Sequence, residues 1–398
     1  MAHVLILGGD GFCGWPTALH LSARGHDVSI IDDMSRRDID RELGTNSLTP
    51  ILSLGERVTA WHDLTGKKIR YYVARVGANS HSLADFVDDK VPDAIVHFAE
   101  QRSAPYSMRG PREKHYTVTR NNAATNAVCA AIVDSMRDIH LVHLGTMGVY
   151  GYGTAGRAIP EGYMDVGGEW VLHPMNPGSI YHLTKCHDQL TFQFYNRNDG
   201  LRITDLHQGI VWGTQTPETS MDPRLINRFD YDGDYGTVLN RFLMQGVLGY
   251  PLTVHGTGGQ TRAFIHISDT VKCIEMAIDN PPEHGMPVRI FNQMTETHRV
   301  RNLADMVHKL TGTPVEFVHN PRNEAAENDL VVHNSGLIGM GLEPKTLSVS
   351  LMGEIIDIAD KFKDRADRSK IACTSYWNDD RAFPSRQIRR PLRDKVTT

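Results

Sequence analysis

A glycine-rich segment directly after a short apolar run is the feature that most constrains the fold. Val4-Leu5-Ile6-Leu7 is typical of a buried strand, and Gly8-Gly9-Asp10-Gly11-Phe12-Cys13-Gly14 follows it without a break. A helical pattern then begins at Gly14 and runs to Arg24. Glycines at positions 8, 11 and 14 permit a tight turn and let backbone N–H groups approach a pyrophosphate. A triplet of this kind also occurs as a simple turn, so the surrounding sequence decides its meaning.

The surrounding sequence alternates short apolar runs with helical patterns. Further strands are predicted at residues 28–31, 94–98 and 139–144, with a helix at 122–136 between the last two. Strands that alternate with helices favour right-handed crossovers and a parallel sheet covered on both faces. We therefore predict an α/β fold with a Rossmann-type, doubly wound parallel sheet.

The second half of the chain has a different texture. Stretches rich in Gly, Pro and Asp at 229–236 and 255–259 interrupt predicted helices at 238–248 and 269–278. We expect a nucleotide-binding domain over 1–208 and a smaller substrate lobe over 209–378, interleaved with the first. Residues 379–398 are basic, polar and aperiodic, which is typical of a flexible tail.

Composition excludes several classes of protein. The 398 residues carry 42 Lys and Arg against 47 Asp and Glu, a net charge of −5, so no nucleic-acid or membrane surface is expected. The five cysteines form no C-x-x-C pair and the 20 histidines lack metal-motif spacing, so neither disulfides nor a metal site are expected. With no apolar run of about 18 residues, a cytoplasmic location is expected.

Asp32 indicates which dinucleotide the glycine loop would bind. It ends the second predicted strand, 18 residues after Gly14, near the spacing of about 20 expected for a carboxylate that holds the adenosine ribose. A carboxylate at this position favours NAD. Arg36 and Arg37 follow closely and offer the alternative of binding a 2′-phosphate.

The pattern Tyr181-His182-Leu183-Thr184-Lys185 predicts an acid–base pair on a helix. The i,i+4 spacing puts the phenol and the ammonium on one face. We expect the lysine charge to lower the phenol pKa, so that the phenolate can remove a hydroxyl proton while hydride leaves the carbon. Thr146, after a predicted strand end, completes a Thr/Tyr/Lys set. Taken alone, the pattern is equally typical of a solvated helix face.

These residues, with His97-Phe98-Ala99 and Asn122, resemble the extended short-chain dehydrogenase/reductases that modify nucleotide sugars. Longer segments are similar to the UDP-sulfoquinovose synthase branch, and together they span roughly residues 4–365. They are Gly8 to Trp15, Glu100 to Met108, Asp230-Tyr231-Asp232, Leu239 to Phe242, Gly258 to Arg262, and Asn320-Pro321-Arg322.

The resemblance implies a tightly held NAD, a nucleotide diphosphate sugar as substrate, and a homodimer formed through the Tyr181 helix. Thr146, Tyr181 and Lys185 would be catalytic. The cofactor would contact Gly8, Gly11, Phe12, Cys13, Gly14, Asp32, Asp33, Arg36, Arg75, Val76, Phe98, Asn122, Tyr181 and Lys185. The substrate would contact Gln101, Arg102, Thr146, Met147, Gly148, His182, Gln208, Asn240, Thr253, Gln260, Arg262 and Arg322, with Arg262 and Arg322 on the diphosphate.

Departures from the family pattern bear on the reaction. Val149 stands where the sulfoquinovose synthases carry Glu, and Met147-Gly148 replace the Asp-Glu pair of the dehydratases. Elimination of a hydroxyl needs a positioned acid, which Val149 does not supply, although His182 is an alternative. Ala74-Arg75-Val76 replace the family's Gly-Asp-Ile at the adenine, and Glu327-Asn328-Asp329-Leu330 replace its Glu-Glu-His-Tyr.

Three functions follow as hypotheses. The first is an NAD-dependent enzyme that oxidises C4 of a nucleotide-linked sugar transiently, most simply an epimerase because Val149 is not an acid. The second is sulfoquinovose synthesis or another C6 modification through a 4-keto-5,6-ene. The third is a non-catalytic NAD-binding regulator, since a fold does not fix function.

Overall fold

The computed structural model describes residues 1–78, 80–152, 157–322, 324–375 and 377. Its strands are β1 (His3–Leu7), β2 (Asp27–Asp32), β3 (Ile69–Val73), β4 (Ala94–His97), β5 (His140–Thr146), β6 (Tyr163–Val166), β7 (Glu169–Leu172), β8 (Ile203–Gln208), β9 (Ile210–Trp212), β10 (Leu252–His255), β11 (Gly259–His266), β12 (Arg289–Gln293), β13 (Glu296–Arg299), β14 (Val315–Val318) and β15 (Glu327–Asn328). Its helices are α1 (Gly14–Ala23), α2 (Ser35–Leu43), α3 (Leu54–Thr65), α4 (Ser80–Lys90), α5 (Ala104–Ser107), α6 (Pro111–Asp134), α7 (Ile180–Asp199), α8 (Val238–Leu248), α9 (Ile267–Asp279), α10 (Val300–Thr311), α11 (Ser335–Gly339) and α12 (Val349–Phe362).

Seven strands form one parallel sheet in the order β12-β8-β5-β4-β1-β2-β3. Strand β1 pairs with β2 on one side and with β4 on the other, so the strand order reverses at β1. Ligands of doubly wound sheets bind in the crevice at this reversal, outside the carboxyl ends of the strands. The predicted fold class is confirmed, and the glycine loop leaves β1 at the crevice.

The alternate side chains of β1 enter two separate cores. Val4 and Ile6 pack with helices α1, α3 and α9 on one face, while Leu5 and Leu7 pack with α4, α6 and α7 on the other. All four side chains are fully buried. A strand that is buried on both faces consists of consecutive apolar residues, which explains why the sequence predicts β1.

A second core lies in the later half of the chain. Strands β9, β11, β13 and β15 form a smaller sheet, β10 pairs with β14, and helices α8, α10 and α12 enclose an apolar cluster beside them. Strand β12 and helix α9, which also follow residue 208, pack instead with the large sheet. The substrate-lobe boundaries stay a prediction, and residues 379–398 lie outside the described part of the chain.

Element boundaries agree closely with the sequence where the pattern is strong. The helix predicted at 238–248 is α8 with the same bounds. The helix predicted at 122–136 is the end of α6, which begins at Pro111 and spans 24 residues. The first half of α6 carries charged and polar residues, so periodicity did not reveal it, although Pro is well tolerated in a first helical turn.

No helix among the described residues combines the length and the apolar character needed to cross a bilayer.

Candidate active site

One cavity of about 410 Å³ joins the glycine loop to the later half of the chain. Of the residues predicted to be catalytic, cofactor-binding or substrate-binding, all but Asn122 and Asn240 line it. Asn122 bonds His187 (3.1 Å) instead, and Asn240 accepts a hydrogen bond from the Gly213 N–H (3.1 Å). The structure therefore brings residues from distant parts of the sequence to one site.

The glycine loop leaves no room for side chains at two positions. A Cβ atom on Gly14 would lie 2.1 Å from the Gly8 carbonyl oxygen, and one on Gly8 would lie 2.8 Å from the Ala99 nitrogen. Gly8 also has a φ of +88°, a conformation that favours glycine. The loop thus brings bare backbone to the cavity at the N-terminus of α1, which suits a pyrophosphate.

Two carboxylates organise the loop that follows β2. Asp32 accepts hydrogen bonds from the Asp10 and Met34 N–H groups, both at 2.8 Å, and burial together with the Asp10 charge raises the pKa of Asp32 to about 6. Asp10 holds Arg37 in a two-pronged contact of 2.6 and 2.8 Å. Arg36 in turn bonds Asp40 (2.6 Å) and Asp230 (3.0 Å).

Both arginines that offered a 2′-phosphate site therefore have carboxylate partners within the protein. Their charges are compensated before any cofactor arrives, whereas Asp32 faces the cavity. This arrangement favours the interpretation of Asp32 as a ribose-binding carboxylate over a phosphate site at Arg36 and Arg37.

Helix α7 presents Tyr181 and Lys185 to the cavity. Its first turn is capped by Ser179, whose Oγ accepts the His182 N–H (3.1 Å). The Tyr181 hydroxyl has no hydrogen-bond partner among the described residues, and Tyr181 lines the cavity, as does Thr146 at the end of β5. The Thr146 Oγ accepts the Gly148 N–H (3.1 Å), which leaves its own proton to donate. Thr146, Tyr181 and Lys185 therefore all line the same cavity.

The expected lowering of the Tyr181 pKa is wrong for this structure. Burial raises that pKa and outweighs the Lys185 ammonium, which lowers it, while the Glu100 carboxylate raises it further. Glu100 offsets the effect of the lysine because its Oε2 is 2.9 Å from Lys185 Nζ. The Lys185 charge is thus largely compensated by the Glu100 carboxylate. The spacing of residues within α7 could not predict this pair, because Glu100 lies in another part of the chain.

His182 occupies the space that a side chain at position 148 would need. A Cβ on Gly148 would lie 2.4 Å from His182 Nε2, so the imidazole fits in this position only because residue 148 is glycine. Burial, with the nearby Arg322 and Arg262 charges, lowers the pKa of His182 to about 3. Its Nδ1 is buried and has no partner among the described residues. His182 is therefore a neutral imidazole in the cavity wall.

Val149 does not belong to the cavity wall. Its side chain is 1% exposed and packs with Ile159, Cys186 and Met294 behind the short helical turn at Met147–Tyr150. The residue at this position thus does not determine which acid meets the substrate. Because Val149 packs away from the cavity, its lack of an acidic group does not favour an epimerase.

The far end of the cavity is cationic. Arg262 pairs with Glu324 and bonds the Thr261 carbonyl (3.0 Å), and the Arg322 guanidinium lies 5.2 Å from the ring centroid of Trp377. A third arginine, Arg241 on α8, is 8% exposed and lines the same end. Its Nε is buried without a partner among the described residues.

Sequence reasoning missed Arg241 and Glu100 as site residues. Both lie inside segments that carried the family resemblance, Leu239 to Phe242 and Glu100 to Met108. A charged residue in an otherwise buried helix, as at Arg241, was the available signal, because a buried arginine needs a partner.

A family model described as "NAD dependent epimerase/dehydratase family" matches residues 4–292. The chain belongs to this family. It is 44% identical over 383 residues to the chloroplastic UDP-sulfoquinovose synthase of Spinacia oleracea, which covers 94% of this chain and 79% of the relative. It is 40% identical to the UDP-sulfoquinovose synthase of Sulfolobus acidocaldarius, with 86% and 88% covered. The chain is thus an enzyme of the nucleotide-sugar branch.

The fold is also that of solved epimerases. The UDP-glucuronic acid 4-epimerase of Bacillus cereus, in complex with UDP-glucuronic acid and NAD, matches with a TM-score of 0.65 and 19% identity. The match covers 92% of this chain and all of the epimerase. At this identity the likeness supports the fold alone.

The depressed pKa of His182 makes the stability of the protein depend on pH. The unfolded chain binds a proton at His182 near pH 6.5 and the folded protein only near pH 3, so stability is lost as the pH falls below 6.5. Between pH 7 and pH 5 this difference amounts to about 2 kcal/mol. We expect His182→Asn to lose about 2 kcal/mol less unfolding free energy than the wild type over that interval.

Urea unfolding at the two pH values measures the effect. Other buried histidines, such as His140, contribute equally to the wild type and the variant and cancel in the difference. Identical pH dependence in both proteins would show that His182 is protonated in the folded state.

Proposed function

We propose that the chain is a UDP-sulfoquinovose synthase, as its relatives from Spinacia oleracea and Sulfolobus acidocaldarius are named, and that it converts UDP-glucose and sulfite to a UDP-linked 6-sulfonated sugar. The observation that carries the proposal is a single cavity that joins the glycine loop, the unbonded Tyr181 hydroxyl and the arginine-lined end. The net reaction exchanges the C6 hydroxyl for a sulfonate and releases water, so the cofactor is neither consumed nor required to leave.

NAD fits the first part of the cavity. Gly8 and Gly14 offer close backbone approach, the N-terminus of α1 suits the pyrophosphate, and Asp32 suits the adenosine ribose. Glycine-loop residues, Asp33, Val76 and Phe98 line the adjoining wall. When bound, the dinucleotide supplies a hydride acceptor that returns the hydride at the end of the cycle.

The arginine-lined end suits the diphosphate of the substrate. Guanidinium groups bind phosphate oxygens in two-pronged contacts, and Arg322 and Arg241 carry more positive charge here than Glu324 offsets. A bound diphosphate would also compensate Arg241, whose burial without a partner is otherwise unfavourable.

Tyr181 and Thr146 serve the chemistry at C4. The phenolate form of Tyr181, which burial opposes and the Lys185 charge favours, takes the C4 hydroxyl proton as the hydride leaves C4, and Thr146 donates a hydrogen bond to the same oxygen. The C4 ketone makes the C5 proton acidic. Loss of that proton and of the C6 hydroxide gives a 4-keto-5,6-ene, to which sulfite adds at C6 while C5 regains a proton.

His182 is the residue suited to the elimination. The neutral imidazole of His182 lines the cavity, and it can take the C5 proton and deliver it to the departing hydroxyl, which leaves as water. Burial and then the Arg322 and Arg262 charges lower its pKa, and a bound diphosphate would neutralise these two arginines. His182 thus takes the role that an Asp-Glu pair after the threonine has in the dehydratases that the sequence resembles.

Epimerisation is the less supported hypothesis. The sequence favoured epimerisation because Val149 is not an acid, but Val149 packs away from the cavity. The relatives at 44% and 40% identity are UDP-sulfoquinovose synthases. The epimerase likeness at 19% identity concerns the fold. A non-catalytic role is likewise unsupported, because these relatives are enzymes.

The reaction is tested by incubating the purified protein with UDP-glucose, with and without sulfite, in deuterated water. We expect a sulfonated UDP-sugar that forms only with sulfite and carries deuterium at C5, because C5 is deprotonated during the elimination. Mass spectrometry and NMR of the product measure both properties, and Tyr181→Phe should abolish turnover. Formation of UDP-galactose without deuterium at C5 would contradict the proposal and restore epimerisation.

The role of Arg241 is tested by replacing it with methionine, which keeps an unbranched side chain of similar size without the charge. We expect Arg241→Met to weaken UDP binding by roughly tenfold to a hundredfold, since a charge-assisted contact is worth about 1.5–3 kcal/mol. Binding of uridine, which lacks phosphate, should not change. Calorimetry measures both ligands, and Arg41→Met at an exposed site is the matched control. An equal loss for UDP and uridine would indicate a purely structural role.

The expected homodimer has support on the outer face of α7. Leu190 and Phe194 stand four residues apart and are 55% and 60% exposed, an apolar pair that a second copy of α7 would cover. Sedimentation velocity should therefore give the mass of two chains, and Phe194→Glu should shift it to one. A monomeric wild type would exclude this interface.

A further inference from the structure

Lys185 lies in a buried cluster of charged side chains that the proposed reaction does not use directly. Its Nζ is 2.9 Å from Glu100 Oε2 and donates to the Leu144 carbonyl oxygen at 2.9 Å. His143 Nε2 lies 3.0 Å from the same nitrogen. Lys185, Glu100 and His143 are all at most 4% exposed by side chain, so water does not screen them.

Glu100 bridges the two basic groups. Its Oε2 contacts Lys185, and its Oε1 lies 3.2 Å from His143 Nε2. On the other side of the ring, His143 Nδ1 donates to Asp205 Oδ1 at 2.8 Å. Asp205 Oδ2 lies 3.0 Å from His207 Nε2, and the His207 Nδ1 lies 2.7 Å from the Tyr150 hydroxyl oxygen. The orientation of His143 is thereby fixed from the interior of the sheet.

The charges in this cluster compensate each other. Burial and the Lys185 ammonium lower the pKa of His143, but the Asp205 and Asp188 carboxylates outweigh them and raise it to about 10. Burial favours a protonated Glu100, yet Lys185, with His143 and His97, lowers its pKa well below the usual range. Lys185 Nζ and His143 Nε2 thus lie at hydrogen-bond distance, 3.0 Å, and the Glu100 carboxylate contacts both groups.

Ligand atoms of Glu100, His143 and Asp188 lie within 4.8 Å of one another, and the cation that they surround is the Lys185 ammonium. The ammonium therefore has two partners, Glu100 after β4 and His143 on β5, and Tyr181 precedes Lys185 by one helical turn on α7. The electrostatic effect on the Tyr181 phenol therefore comes from the whole cluster and not from Lys185 alone.

We propose that Glu100 and His143 are positioning residues that fix the Lys185 ammonium and set how strongly the cluster favours the Tyr181 phenolate. The inference rests on the proposed role of Tyr181 as the base. Removing the Glu100 charge leaves the cluster more positive and favours the phenolate, whereas removing the His143 charge has the opposite effect. Removing both restores the balance.

Several titratable groups face Tyr181 and Lys185 from the surrounding elements, and all but Glu100 and His143 are unchanged in this comparison. They are His97 on β4, Glu100 and Arg102 in the segment after β4, His143 on β5, His182 and Asp188 on α7, and Asp205 and His207 on β8.

The test is a pH titration of the Tyr181 phenol that needs no substrate. Near-ultraviolet absorbance reports phenolate formation in the purified protein, and the same titration on a Tyr181→Phe partner of each variant isolates Tyr181. We expect Glu100→Gln to move the Tyr181 titration down by about one pH unit and His143→Asn to move it up by a similar amount. The double variant should titrate within a few tenths of the wild type.

Glu161→Gln, which removes a carboxylate outside the cavity, is the control and should leave the titration unchanged. Circular dichroism and thermal melting establish that each variant is folded. Opposite shifts with rescue in the double variant support the proposal, even if no sulfonated product is ever found. Shifts in the same direction, or unchanged titrations in folded single variants, would overturn it whatever the reaction proves to be.

Discussion

The Lys185 ammonium is buried beneath the active site, and much of the surrounding structure compensates for it. A buried charge is strongly unfavourable unless it is paired and hydrogen-bonded. Glu100 and the Leu144 carbonyl meet that need, and they stand where the adjacent strands β4 and β5 end. The requirement therefore ties helix α7 to the centre of the sheet and fixes the place where Tyr181 meets the cavity.

The glycine loop imposes a second constraint from the neighbouring strand. Its backbone approaches Ala99 so closely that no side chain fits on Gly8, which brings the loop after β1 against the segment after β4. That segment carries Glu100. The cofactor end and the acid–base end of the site are thus adjacent because two loops share the crevice where the strand order reverses.

The later half of the chain completes the site by supplying positive charge. Arg262, Arg322 and Arg241 come from a strand, a loop and a helix of the smaller lobe and converge on one end of the cavity. An overall charge of −5 is compatible with binding an anionic substrate because local placement of arginines, and not the total, sets the potential in a closed cavity. Burial, together with the Arg322 and Arg262 charges, keeps His182 neutral.

The sequence by itself determined the parallel sheet, the glycine loop, Asp32 and the Thr/Tyr/Lys set, because each depends on local periodicity or spacing. The pairing of β4 with β5 brings Glu100 and His143 together at Lys185, and tertiary packing buries Tyr181 and thereby raises its pKa. Spacing along the chain predicts neither result. Tertiary packing also decided that Val149 lies behind the site and that His182 fills the space at Gly148. Contacts between residues far apart in the chain arise only when the strands pair, so only the folded structure could reveal them.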